Sequence, residues 1–124
     1  MRGFTLPEKG CMFVFDYDEV FRITLAAAPS VETLDDNPYD FEDKHPDYFG
    51  VSEREPILQA GDFRLSYSFD PTAPSQEVVI ESPQKRETVS FKTFSGDWFV
   101  ATLSPCARFL VLAEPYLIEI YSLQ

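Results

Sequence analysis

Between Ala28 and Pro56 the sequence carries nine carboxylates, Glu32, Asp35, Asp36, Asp40, Glu42, Asp43, Asp47, Glu53 and Glu55, against two bases, Lys44 and Arg54. Carboxylates gathered in this way suit three kinds of chemistry: holding a hard cation, passing protons in acid catalysis, or attracting a basic partner. Spacing argues against the first. Neither Asp16-Tyr17-Asp18-Glu19 nor Asp40-Phe41-Glu42-Asp43 has the Asp-x-Asp-x-Asp-Gly run or the closing Glu of a calcium loop. His45 with Asp43 and Asp47 would supply three ligands, but a single His with no Cys nearby is a poor zinc site, and His45 before Pro46 reads as a surface loop residue. No metal and no cofactor is expected.

Catalysis fares little better. Paired carboxylates across a cleft can hydrolyse glycosidic bonds, but that needs a cleft a short chain seldom builds, and Trp98 is the only tryptophan that could serve as a sugar platform. His45 is the only histidine, so no nucleophile has a credible base. Cys11 and Cys106 stand far apart in the chain. A bridge between them would constrain the unfolded state by ~4–5 kcal/mol in the chain-entropy account. In a reducing compartment both read instead as free thiols in packing or turn positions. The expectation is a protein that is not an enzyme.

The third use of the carboxylates is the one the neighbouring residues favour. Tyr39, Phe41, Tyr48 and Phe49 are interleaved with the acids, and a purely solvating segment has no need of aromatics. One reading has Phe41 and Phe49 pinning the segment to a sheet while the carboxylates stay in water. The other makes it an interaction surface, with Asp35, Asp36, Tyr39, Asp40, Phe41, Glu42, Asp43, Asp47 and Tyr48 binding a basic protein: carboxylates steer the encounter and aromatics supply buried contact. The whole chain has 21 acids and 10 bases, a net charge of −11. Such a surface repels phosphate backbones, so nucleic acid is not an expected partner.

The elements that must position these residues are strands. With 124 residues, 44% of them hydrophobic and 15% aromatic, the chain is expected to be one domain with its own core. Alternation is strict in Phe63-Arg64-Leu65-Ser66-Tyr67-Ser68-Phe69. Phe13 to Tyr17 and Val20 to Ala27 read as an amino-terminal hairpin, and Glu77 to Glu81 with Thr88 to Lys92 as a second. Trp98 to Leu103, Phe109 to Ala113 and Tyr116 to Leu123 read as a meander. Phe109-Leu110-Val111-Leu112-Ala113, apolar throughout, is the expected centre of the core. Helical period is nearly absent, with one or two turns expected at Ser30 to Leu34 or Val51 to Arg54. The fold class is therefore mostly β, an antiparallel sandwich or barrel-like sheet of about eight strands, interrupted by an irregular acidic and aromatic insertion over residues 28–56.

Two resemblances follow from these residues. Within Trp98 to Leu123, Ser104, Pro105 and Arg108 followed by Ile118, Ile120 and Tyr121 resemble the inner strands of a β-propeller blade, with Ala107 where such turns usually carry Gly. A propeller needs four or more blades, so this implies a shared hairpin design and not a propeller. In size and acidity the whole chain is similar to the immunity proteins of bacterial toxin systems. That resemblance implies a non-enzymatic inhibitor that neutralises a basic partner such as a nuclease toxin acting in the cytosol. The amino terminus has no apolar stretch of the signal-peptide kind and no run is long enough to span a membrane, so a cytoplasmic place is expected. The competing class is a structural or adaptor subunit that uses a sheet edge and an aromatic face.

Overall fold

Runs of β-branched and aromatic residues set the architecture. In the computed structural model, which describes residues 1–123, they form twelve antiparallel strands in three open sheets, with one short helix. The chain divides into two units, Met1–Arg54 and a second that begins at Glu55.

The first unit holds β1 (Gly3–Phe4), β2 (Cys11–Phe15), β3 (Val20–Thr24), β4 (Ser30–Leu34), α1 (Pro38–Lys44) and β5 (Phe49–Gly50) in a five-stranded sheet of order β4-β3-β2-β1-β5. The β2–β3 hairpin is closed by Asp16, whose Oδ1 accepts the amides of Asp18 and Glu19 at 2.8 and 2.7 Å, an Asx turn of the kind Asp favours. The register pairs Phe15 with Val20 and Phe13 with Arg22. Phe13, Phe15 and Val20 thus share one face of the sheet, and this is the face on which α1 rests its Phe41.

The second unit contains β6 (Gln59–Ala60), β7 (Phe63–Ser66), β8 (Ser75–Glu81) and β9 (Arg86–Lys92) in one sheet, and β10 (Val100–Leu103), β11 (Phe109–Glu114) and β12 (Leu117–Ser122) in the other. Strand β8 alternates buried and outward residues along its length, Gln76, Val78 and Ile80 inward. Val78 and Ile80 join Leu65, Phe91, Ala101, Leu103, Leu110 and Leu112 in a core to which both sheets contribute. Strand β11 is central in its sheet, and Leu110 through Glu114 are all buried, as its unbroken apolar run predicts. The turn before it has Ala107 at φ 61°, the left-handed conformation for which glycine is the usual choice. Ser104 supports it, accepting the Phe109 amide on Oγ at 3.1 Å and the Ala107 amide on its carbonyl at 3.0 Å.

Four expectations are corrected. The strands number twelve and the sheets three, with no closed barrel, because β1, β5 and β6 are two residues long and carry no period that could be read. Residues 28–56 are not an irregular insertion: β4, α1 and β5 lie within them. Ser30–Leu34 is a strand and not a helix. Val31 and Thr33 are β-branched, and the segment pairs along the whole of β3 as an edge with polar residues on both faces. The helix forms instead at Pro38–Lys44, where Asn37 Oδ1 accepts the amides of Tyr39 and Asp40, Pro38 opens the first turn and Lys44 closes the last. Val51 and Ser52 form a turn, and residues 53–54 are neither helix nor strand. Finally, the strand that begins at Phe63 ends at Ser66; Tyr67 leaves the ladder and accepts the Ala101 amide on its hydroxyl at 3.1 Å.

One polar group sits where hydrophobic reasoning would not place it. Glu114 is 0% exposed, and its carboxylate accepts the amides of Phe94 at 2.6 Å, Ser95 at 3.0 Å and Tyr116. A buried carboxylate is tolerated only when its lone pairs are filled, and here backbone donors from two loops fill them. Glu114→Ala removes three charge-assisted acceptor contacts at once and should lower stability by about 3 kcal/mol. Glu114→Gln, which keeps one acceptor oxygen, should lose roughly half of that. Urea denaturation would read both as a lower midpoint at an unchanged slope; wild-type midpoints would refute the role.

Candidate functional site

The acidic segment is shaped by its aromatics. Phe41 is 4% exposed, with its ring 5.4 Å from Phe13, 5.6 Å from Phe15 and stacked at 4.1 Å on His45. Tyr48 meets Phe15 edge-on at 4.9 Å. Phe49 is buried on the opposite face, stacked 5.5 Å from Phe4. Phe41, Tyr48 and Phe49 are buried and hold the segment against the sheet, while Tyr39 is exposed. His45 is part of the same packing. It caps α1, with Nδ1 3.0 Å from the Phe41 carbonyl oxygen, so it is a half-buried capping residue and not a bland loop position.

With Phe41 turned inward, the helix turns Tyr39, Asp40, Asp43 and Lys44 outward. Asp35, Asp36 and Asp47 are exposed beside it. Among the described residues, Asp35, Asp36, Asp40 and Asp43 make no ion pair with lysine or arginine, and Asp47 lies 3.6 Å from Arg54. Asp40 and Asp43 are three apart on a helix and therefore neighbours, an arrangement that is repulsive by a few tenths of a kcal/mol. Seven of the nine residues expected to meet a partner share this region with open access or half-burial. Phe41 and Tyr48 are the two that serve the core.

Glu42 behaves differently from the other acids. Its Oε1 accepts Arg2 Nη2 at 2.8 Å, and both side chains are about one-fifth exposed, 20% and 21%. The Tyr48 phenol and the same carboxylate influence each other electrostatically. The Arg2 guanidinium also lies 5.0 Å from the Tyr17 ring centroid and 5.8 Å from that of Tyr39. Tyr17 and Tyr39 are 61% and 53% exposed. Arg2 and Tyr17 escaped the sequence reading as site residues: Arg2 has no role in it, and Tyr17 only ends a strand and stands between two acids. The meeting of Arg2 with Glu42 across 40 residues leaves no local trace.

The close approach of Tyr48 depends on glycine. A Cβ on Gly3 would lie 2.4 Å from the Tyr48 ring and 2.5 Å from the Phe49 carbonyl oxygen. Gly3 faces Gly50 across the β1–β5 pair, so the sheet is bare where the tyrosine covers it.

Among the described residues no three His, Cys, Asp or Glu side chains converge as a metal site. Asp16 is committed to its turn and Glu42 to Arg2 and Tyr48. In the second unit, a cavity of about 270 Å³ is lined by Phe63, Ile80 and Leu123, with Glu81, Lys85 and Glu87 at its rim. Its two carboxylates face bases: Lys85 is 2.8 Å from Glu87 and Arg86 is 3.9 Å from Glu81. Cys11 and Cys106 are free thiols; the Ser104 hydroxyl, 3.3 Å from Cys106 Sγ, holds that thiol below its usual range. No helix is long and apolar enough to cross a membrane among the described residues. Comparison with protein-family models, with curated proteins and with solved structures finds no match to this chain.

The Tyr48–Glu42 pair makes stability depend on pH in a stated direction. Burial first, and then the Glu42 carboxylate, push the Tyr48 phenol up to about 12. The Tyr48 hydroxyl and the Arg2 guanidinium hold the Glu42 carboxyl below its ordinary value. A raised phenol stabilises the fold fully below the unfolded tyrosine value near 10 and loses that contribution as pH climbs toward 12. A lowered carboxyl contributes above its ordinary value and loses it on acidification. Tyr48→Phe should therefore cost about 1–2 kcal/mol near neutrality, and the gap from wild type, followed by thermal melts, should shrink above pH ~10. Tyr121, pushed up to about 12 by its hydrogen bond to Glu119, is common to both proteins and cancels. A gap independent of pH would remove Tyr48 from this role. Gly3→Ala should destabilise by roughly 1–3 kcal/mol through overpacking; an unchanged melting temperature would show that the Tyr48 ring can move aside.

Proposed function

We propose that this chain is a non-enzymatic acidic binding protein, an inhibitor of the immunity-protein kind that neutralises a basic protein such as a nuclease toxin in the cytoplasm. The observation that carries the reading is a set of exposed acids, Asp35, Asp36, Asp40 and Asp43, that among the described residues pair with no lysine or arginine, on and beside a helix whose own position is fixed by buried rings. Repulsion between Asp40 and Asp43 works against the helix, and the set as a whole directs its field outward. A nuclease cleft is basic because it holds phosphates, and fixed carboxylates compete for the same ground. Asp47 and Glu42 extend the acidic ground, and Tyr39 supplies an exposed aromatic anchor within it. Phe41 and Tyr48 hold the frame. We also read the two sheets of the second unit as a sandwich, a stiff body that needs no partner to fold.

A second reading has one observation in its favour. Strand β4 is an edge, and its Val31 is 68% exposed, so an adaptor role through strand addition fits it. Salt separates the two, since steering by charge weakens as ionic strength rises while an apolar edge contact hardly responds.

Binding kinetics against a panel of basic nuclease-toxin domains would test the proposal. Asp40→Asn with Asp43→Asn should slow association roughly tenfold at low salt and flatten its salt dependence. Tyr39→Ala should leave association alone and speed dissociation, by about thirtyfold for an anchor of ~2 kcal/mol. Rates unchanged in variants that remain folded would place the interface elsewhere.

A further inference from the structure

Arg2 is held in the sheet by its backbone: its amide donates to the Phe15 carbonyl at 2.8 Å, and its carbonyl accepts the Val51 amide at 3.0 Å. Only its side chain is free to change place. That side chain lies beside two aromatic rings from separate elements, Tyr17 at the β2–β3 hairpin tip and Tyr39 in the first turn of α1. Its guanidinium donates at 2.8 Å to Glu42, a carboxylate whose side chain is only 20% exposed. Aromatic faces and a fixed carboxylate are what a planar guanidinium requires, whichever chain supplies it. Both rings are more than half exposed, so the walls stand open to solvent. Asp16 and Asp18 flank Tyr17 in the chain and Asp40 follows Tyr39, which favours an incoming cation. Ion pairs near a surface add little net stability, so the residue that fills this place is exchangeable.

We infer that Tyr17, Tyr39 and Glu42 form a guanidinium-binding site, filled by Arg2 in the free chain and taken over by an arginine of the basic partner in the complex. The identity of the incoming arginine rests on the reading proposed above; the site itself does not. Arginine is preferred to lysine because the walls are faces for a planar group and the floor is a carboxylate suited to a fork of donors. In the free chain Arg2 competes with the partner, which lowers the apparent affinity of any arginine that does not displace it.

The test uses methylguanidinium as probe and the ring signals of Tyr17 and Tyr39 in nuclear magnetic resonance as readout. In Arg2→Met, which keeps an unbranched stem and empties the site, the probe should shift both rings saturably. Methylammonium, of equal charge but without the planar fork, should bind roughly tenfold more weakly. Adding Glu42→Gln to Arg2→Met should weaken methylguanidinium by a similar factor, roughly tenfold. In the wild-type chain the probe should displace Arg2, seen as saturable movement of its Nε–H signal. That measurement decides the matter if Arg2→Met does not fold. Absence of saturable shifts, equal binding of the two cations, indifference to Glu42→Gln, or an unmoved Arg2 signal would each overturn the site. Methylguanidinium binding in a chain that ignores every basic nuclease domain would retain the site and overturn the arginine-bearing partner. The reverse result would overturn the site alone.

Discussion

The packing of Phe41 and Tyr48 against Phe13 and Phe15 is the contact on which the rest of the acidic segment depends. A seven-residue helix has no stability of its own in water, and α1 carries three acids against one lysine. It persists because it is nailed at both ends of its buried face. Asn37 and Pro38 start it, Phe41 buries its middle, and His45 closes it while stacking on Phe41. Each of these fixes the rotation of the helix, and the rotation decides which side chains meet water. Asp40 and Asp43 point outward because Phe41 points inward. The aromatic contact thus converts a local excess of charge into a surface with a definite direction.

Two carboxylates escape that surface, and they show what burial asks of a charge. Glu114 is enclosed and meets three backbone amides. Glu42 is partly enclosed and meets a guanidinium. Glu114 joins a strand end to a loop that no ladder reaches, so its partners are backbone and the link is structural. Glu42 meets the Arg2 side chain, and the two rings beside that guanidinium, Tyr17 and Tyr39, are largely in solvent. A carboxylate held by backbone cannot trade partners without moving a loop. One held by side chains at a surface can, since each has rotamers to spare.

Legibility in the sequence followed the length and periodicity of each element. Phe109 to Ala113 announced a buried central strand, and it is one. The β2–β3 and β8–β9 hairpins could be read because each has strands of five or seven residues with aromatic or β-branched patterning. β4 was missed because an edge strand with polar residues on both faces has no period to detect. α1 was missed although its cap, its Pro and its last-turn Lys were all in view, because seven residues complete less than two turns of apolar repeat. At the site, the exposed acids were legible as a cluster. The division of the aromatics was not: Phe41 and Tyr39 stand two apart, and only the helix turns one inward and the other out. Arg2 was beyond reach, because its role depends on a meeting with Glu42 that the β1–β2 and β1–β5 pairings bring about.

The distribution of charge has a physical reading of its own. The first unit contains twelve acids and five bases, the remainder of the chain nine and five. In the second unit, Glu81 and Glu87 are offset by Arg86 and Lys85 along one hairpin, and such near-neutral pairing projects little field. In the first, Arg2 and Arg22 are consumed by Glu42 and Glu32, and Arg54 lies over the Phe49 ring beside Asp47. These three arginines pair with Glu42, Glu32 and Asp47, and among the described residues Asp40 and Asp43 on the helix pair with no lysine or arginine. Screening reduces such a field to short range at physiological salt, about 8 Å. It therefore acts on a partner already close by, and orientation of that partner falls to the groups that can make directional contact: the exposed faces of Tyr17 and Tyr39 and the carboxylate between them and the core.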